Sequence, residues 1–141
     1  MTPPKKREIP PEIQPFFEAA AERKGMGLVA LDLRGKSSVA DFFIIVSGRS
    51  SRQVTSIAEH ILDRMAERRK KPLGKEGLDT GHWALLDFGD VVVHVFYEAV
   101  RSFFDLEGLW SDAPRIRPET PGPGGPRESV PDEEEDRDAE Q

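Results

Sequence analysis

Hydrophobic positions early in the chain fall at helical spacing. Ile13, Phe16, Phe17, Ala20 and Ala21 stand at i, i+3, i+4, i+7 and i+8, which is one helical face. Pro15 suits the first turn of that helix, where no backbone donor is needed, and Gly25 is placed to close it. "GLVALDL" is too short for a second helix and predicts a strand. "RGKSS" is a turn. "VADFFIIVSG" is a nearly continuous apolar, β-branched and aromatic run, the pattern of a central strand covered on both faces. Ser50 or Ser51 then offers a helix cap, followed by Val54, Ile57, Ala58, Ile61, Leu62 and Met65 at helical spacing. That helix ends in "RRKKP", four cations at the negative end of the dipole and a proline that stops it. "PLGKEG" reads as a loop or a short edge strand. "HWALLDFGDVVVHVF" carries two apolar runs around Asp87, Phe88, Gly89 and Asp90, a hairpin with Gly89 supplying a positive φ. "YEAVRSFFDLEGLW" predicts a short helix and a second turn or helix, ended by Pro114. The order α-β-β-α-(β)-β-β-α predicts a small mixed sheet flanked by helices, of the α/β or α+β class.

Charge divides the chain unevenly. Of its 141 residues, 1–24 carry a net +1, 25–117 balance at zero, and 118–141 carry −7. A length of 141 fits one domain with a tail. The last two dozen residues are rich in proline, glycine and acid, and Val130 is their only large aliphatic side chain. Such a segment buries too little apolar surface to offset its ordering entropy, so it is expected to be a disordered, solvated extension. The first ~10 residues, with several prolines, look similarly loose. A balanced folded part argues against a broad basic field that coats nucleic acid, while leaving room for a small basic patch. Cysteine is absent, which excludes disulfides, thiolate metal sites and cysteine nucleophiles. No apolar run approaches the ~20 residues of a membrane span, and the start lacks the apolar stretch of a secretory signal. A soluble cytoplasmic protein is expected.

The residues that carry chemistry are sparse. His60, His82 and His94 lack metal-ligand spacing. Asp87 and Asp90 flank a tight turn, where turn-favouring aspartate is commoner than a cation site. "DFG" at 87–89 has no glycine-rich loop or "HRD" element to make a kinase. "VSGRSSR", with Arg49 and Arg52, leads from a strand into a helix; a serine cap explains it more simply than an anion site. No phosphate loop, nucleophile elbow or acid–base pair is recognisable. In the hairpin, Trp83, Leu85 and Asp87 share one face and Ala84 and Leu86 the other; Val91, Val93 and Val95 oppose Val92, His94 and Phe96. Both faces are largely apolar, so either both are covered or one is a contact surface. His94 among valines reads as a core histidine rather than a base. Trp83, Phe88, Tyr97, Phe103, Phe104 and Trp110 crowd the end of the domain, and a ring left exposed beside Arg101 and Asp105 would suit a protein interface.

Three stretches then stand out together: "VADFFIIVSGRSSRQVTSIAEHI", "EG", and "HWALLDFGDVVVHVFYEAVRSFFDLEGLW". They resemble the ribosomal silencing factor family, also called Iojap-like proteins, over about residues 12–113. Phe88 stands for the family's usual Tyr and Phe104 for a common Tyr, each keeping the ring and losing a hydroxyl. The resemblance implies a translational repressor that binds the large ribosomal subunit at its fourteenth large-subunit protein. Bound there, it would block association with the small subunit by steric exclusion and damp translation when nutrients are scarce. It implies no enzyme, no cofactor and no metal, and at most a peripheral contact with ribosomal RNA. A flexible N-terminus over 1–11, a silencing-factor domain over 12–115 and an acidic tail over 116–141 are expected. The expected partner-binding residues are Trp83, Leu85, Asp87, Phe88, Asp90, Tyr97 and Arg101.

The family's fold resembles a nucleotidyltransferase core, whose enzymes need a Gly-Ser motif and an Asp-x-Asp pair. Here Ser47-Gly48 stands reversed, and Asp87 and Asp90 are three apart. A nucleotidyltransferase-like enzyme or nucleotide-binding protein is the alternative reading. A homodimer is a further expectation for the free protein, since apolar sheet surface favours self-association.

Overall fold

The computed structural model describes residues 9–118; the predicted acidic extension from 119 onward lies outside them. The elements in chain order are α1 (Gln14–Glu22), β1 (Met26–Asp32), β2 (Phe42–Gly48), α2 (Ser51–Glu67), β3 (Gly74–Glu76), β4 (Trp83–Asp87), β5 (Val91–Tyr97), α3 (Glu98–Phe104), α4 (Leu106–Leu109) and β6 (Arg115–Ile116). The six strands form one mixed sheet in the order β3-β4-β5-β2-β1-β6. Only the central pair β2–β5 is parallel; the α2 connection makes the crossover that a parallel pair requires. The expected small mixed sheet with flanking helices is what the chain forms.

The pleat sorts side chains into two cores. Phe42, Ile44 and Val46 of β2, with Ala84, Leu86, Val91, Val93 and Val95, pack under α1 and α2. Ile45 of β2 and Phe96 of β5 join Val29, Leu31, Leu33 and Ala113 on the opposite face, with Phe43, Trp83, Val100, Leu106 and Trp110 partly buried around them. β2 therefore has apolar neighbours on both faces, which is why its sequence shows no alternation.

Local signals acted largely as expected. Ser50 caps α2, its Oγ accepting from the Gln53 N–H at 3.1 Å, while Gln53 Oε1 accepts from the Arg49 N–H at 2.7 Å. Gly89 takes φ 93 in the hairpin turn. "PLGKEG" yields the edge strand β3, only three residues long and charged, which blunts the open edge. Gly25 helps close α1 as expected, its N–H donating to the Ala20 carbonyl at 3.0 Å, but it is not the left-handed residue. The left-handed residue after α1 is Lys24, at φ 61. Gly25 is needed because a Cβ there would overlap a methyl of Val46 on β2. β6 was not expected. It pairs Ile116 with Ala30 of β1 and buries Ile116, so the sheet runs one residue past the expected domain edge at 115. At the other end Ile9, inside the expected loose segment, packs partly buried on the first core.

Candidate partner-binding face

The two faces of the sheet are covered unequally. α1 and α2 bury several side chains each, whereas α3 and α4 bury none completely. The thin α3–α4 cover leaves Phe103, Phe104 and Leu109 at 80%, 48% and 72% exposure. In a short helix two successive rings cannot both point at the sheet, so Phe103 must face water while Phe104 leans inward. Phe104 lies 4.7 Å from the Trp83 ring, and Trp83 lies 4.8 Å from Phe96. Half-buried Trp83 and Leu85 thus continue the exposed patch onto the sheet.

Trp83 is held by a buried partner. Its Nε1–H donates to His94 Nδ1 at 3.1 Å. That bond places the imidazole proton on Nε2, which is buried and has no hydrogen-bond partner. Burial pushes the His94 pKa down to about 4, so the ring is neutral at ordinary pH. Phe43 meets it edge-on at 4.6 Å. His94 is the core histidine that its valine neighbours suggested, and it also orients the indole.

Arg101 faces inward. Its Nε and Nη2 donate to the two Glu107 carboxylate oxygens at 3.2 and 2.9 Å. Nη1 donates to Ser47 Oγ at 2.8 Å, and Nη2 to the Gly27 carbonyl at 2.8 Å. One guanidinium therefore ties α3 and α4 to the ends of β1 and β2. Burial alone would raise the Glu107 pKa, but the Arg101 hydrogen bond, with the charges of Arg101, Arg115 and Arg117, holds it below the usual carboxylate value. The Ser47 hydroxyl, in the reversed Ser47-Gly48 pair, is 5% exposed and engaged in this clamp.

The remaining expected contact residues scatter. Asp87 shares the Trp83 and Leu85 face, but sits four residues, ~14 Å, along the strand. Its Oδ1 accepts from the Gly89 N–H at 2.8 Å, a turn-stabilising bond. Asp90 is exposed in the turn. Phe88 folds onto the helical layer, 5.1 Å from Phe16 of α1, and Tyr97 also packs against that first core. Among the described residues no group of three or more His, Asp or Glu is arranged to hold a metal ion. No helix there is long and apolar enough to cross a membrane.

Leu109 is a surface residue that the sequence analysis did not name, and Phe103 is one it placed among the crowded rings but not in the contact set. The sequence did hold a signal: "SFFDLEGL" has more apolar residues than two short helices can turn inward. The patch also has a charge. Residues 98–112 carry four acidic groups and one basic group, Arg101, which is committed to Glu107.

A thinly covered α/β sheet with an exposed ring patch is the architecture of a binding module. The comparisons give it a family: the chain belongs to the family described as "Ribosomal silencing factor during starvation", whose model matches residues 6–141. The ribosomal silencing factor of Bacillus subtilis is 45% identical over 96 residues, covering 68% of this chain and 81% of that protein. The maize chloroplast protein Iojap is 33% identical over 99 residues, covering 70% of this chain and 43% of its own. A crystal structure from Chromobacterium violaceum aligns with TM-score 0.71 at 32% identity, over 86% of this chain and 98% of that one. One from Bacillus halodurans aligns with TM-score 0.69 at 35% identity, over 77% and 98%.

Proposed function

We propose that the protein represses translation by binding the large ribosomal subunit at its fourteenth large-subunit protein and excluding the small subunit. The observation that carries this reading is the patch of Phe103, Phe104 and Leu109, continued by Trp83 and Leu85, on a domain of the silencing-factor family. Exposed rings around an oriented tryptophan are the make-up of an interface hot spot. The −3 balance of residues 98–112 complements a basic protein surface. Steric exclusion consumes no substrate, so the protein acts as a stoichiometric cytoplasmic binder during nutrient limitation, without cofactor or metal. Free in solution it covers the same patch by pairing with a second copy, and the ribosomal partner competes with that copy.

Within the expected contact set, Trp83 and Leu85 touch the partner directly. Arg101 acts from behind by holding α3, and Phe88 and Tyr97 act through the core. Asp87 and Asp90, at the hairpin tip, lie at the margin of the contact. Co-sedimentation with purified large and small subunits tests this reading. The protein should travel with large subunits alone, at a stoichiometry near one. Trp83→Ala or Phe104→Ala should weaken binding about thirtyfold or more, the effect of losing ~2 kcal/mol. Wild-type affinity in both variants would remove the patch as the docking site.

A further inference from the structure

The basic run that ends α2 has no place in the patch just described. Residues 64–76 hold six of the thirteen basic groups between 25 and 117, with two acidic groups among them. This stretch therefore carries +4, and the rest of that span −4. Arg64 pairs with Glu22 at 3.4 Å and Glu67 at 3.7 Å. Arg68, Arg69, Lys70, Lys71 and Lys75 are exposed and form no ion pair within 4.0 Å among the described residues.

Stabilising the helix end does not account for this cluster. A cation serves a helix dipole within the last turn, and Lys70, Lys71 and Lys75 lie beyond it. The backbone is well fixed: the Arg69 N–H donates to the Ala66 carbonyl and the Lys70 N–H to the Met65 carbonyl, both at 2.9 Å. Arg69 takes φ 62, the left-handed position where a helix ending of this kind favours glycine. Leu73 N–H then donates to the Asp87 carbonyl at 2.6 Å and anchors the loop to the sheet. Four consecutive cations are thus presented on a short loop tied at both ends.

We infer that Arg68, Arg69, Lys70 and Lys71 form a second contact, with the phosphate backbone of ribosomal RNA. The inference rests on the proposed large-subunit reading, because that subunit offers both protein and RNA surface. Guanidinium groups match phosphate oxygens with paired hydrogen bonds, and ammonium groups add point charge. The acidic, aromatic patch on α3–α4 takes the protein, and the basic loop takes the RNA. The even overall balance expected of the folded part therefore conceals two poles.

The test measures binding of the full chain to purified large subunits across a series of potassium chloride concentrations. Wild type is compared with a variant in which Arg68, Arg69, Lys70 and Lys71 are all replaced by Gln, with Arg69→Gly and with Trp83→Ala. Each phosphate contact adds roughly 0.7–0.9 to the slope of log affinity against log salt. The fourfold variant should therefore lose about 3–3.5 from that slope. Arg69→Gly, which relieves the left-handed backbone and so keeps the fold, should lose less than ~1. Trp83→Ala should lower affinity and leave the slope unchanged. Chemical footprinting of the subunit RNA should show a protected stretch with wild type that the fourfold variant loses. An unchanged slope in a folded fourfold variant overturns the inference while leaving the protein contact standing. A changed slope with no RNA footprint overturns it in favour of an acidic protein surface. Failure of wild type to bind large subunits removes both readings.

Discussion

Arg101 should be a stability residue first, and Arg101→Ala shows how much. The side chain is 15% exposed and its partner Glu107 24%, so water screens the pair only partly. The substitution removes a paired ion contact and the donors to Ser47 Oγ and the Gly27 carbonyl. Hydrogen bonds to a charged group contribute ~1.5–3 kcal/mol, and stranding one member of a buried pair costs ~3–5 kcal/mol. Allowing for partial exposure, a loss of about 2–4 kcal/mol is expected. Urea unfolding reads it directly: with a slope of ~1–2 kcal/mol per molar, the midpoint should fall by about 2 M. Arg101→Lys should recover little, because an ammonium cannot bridge both carboxylate oxygens and reach β1 and β2. Acid sensitivity supplies a second signature. The Glu107 pKa is lowered in the fold, so its stabilisation is present above the ordinary carboxylate value and is lost as pH falls through the folded one. Without Arg101 the largest lowering influence is gone and burial pushes the Glu107 pKa upward, so this acid-driven loss should shrink or reverse. An Arg101→Ala protein within ~0.5 kcal/mol of wild type would refute the clamp, since surface changes have effects of that size.

Other outcomes follow from the same geometry. His94, lowered to about 4 from 6.5, favours the fold fully above pH 6.5, and this contribution drains away as pH falls toward 4. That loss is about 3 kcal/mol, and His94→Phe should flatten the unfolding profile over the window. The same substitution removes the Trp83 acceptor, so the tryptophan emission should shift even where the fold persists. Arg69→Gly should raise stability by about 0.5–1 kcal/mol in thermal unfolding, because glycine suits the left-handed cap. Phe103→Ser should leave stability within ~0.5 kcal/mol while reducing large-subunit binding, since its ring is 80% exposed.

Periodicity carried the central elements. α2 and the β4–β5 hairpin were readable because their faces repeat at 3.6 and 2 residues over long runs, with Ser50 and Gly89 marking the breaks. β6 was not readable: two residues carry no period, and only the edge of β1 makes Arg115 and Ile116 a strand. The sheet face of Trp83 was legible from the pleat, but the fate of each ring was not. Phe88 and Trp83 look equivalent along the chain, yet Phe88 turns under α1 and Trp83 under α3. Arg101 looked like an interface arginine because its partners lie 54 and 74 residues away in sequence at Ser47 and Gly27. Long-range pairing of that kind leaves no local pattern.

The central claim is exclusion of the small subunit by a bound factor, and subunit joining followed by light scattering tests it most directly. Factor mixed first with large subunits should suppress joining, saturating near one factor per subunit. Factor added after the subunits have joined should act only as fast as joined subunits come apart, because the contact face is covered until then. Equally rapid inhibition in both orders, or inhibition that continues to rise well beyond one factor per large subunit, would contradict the account.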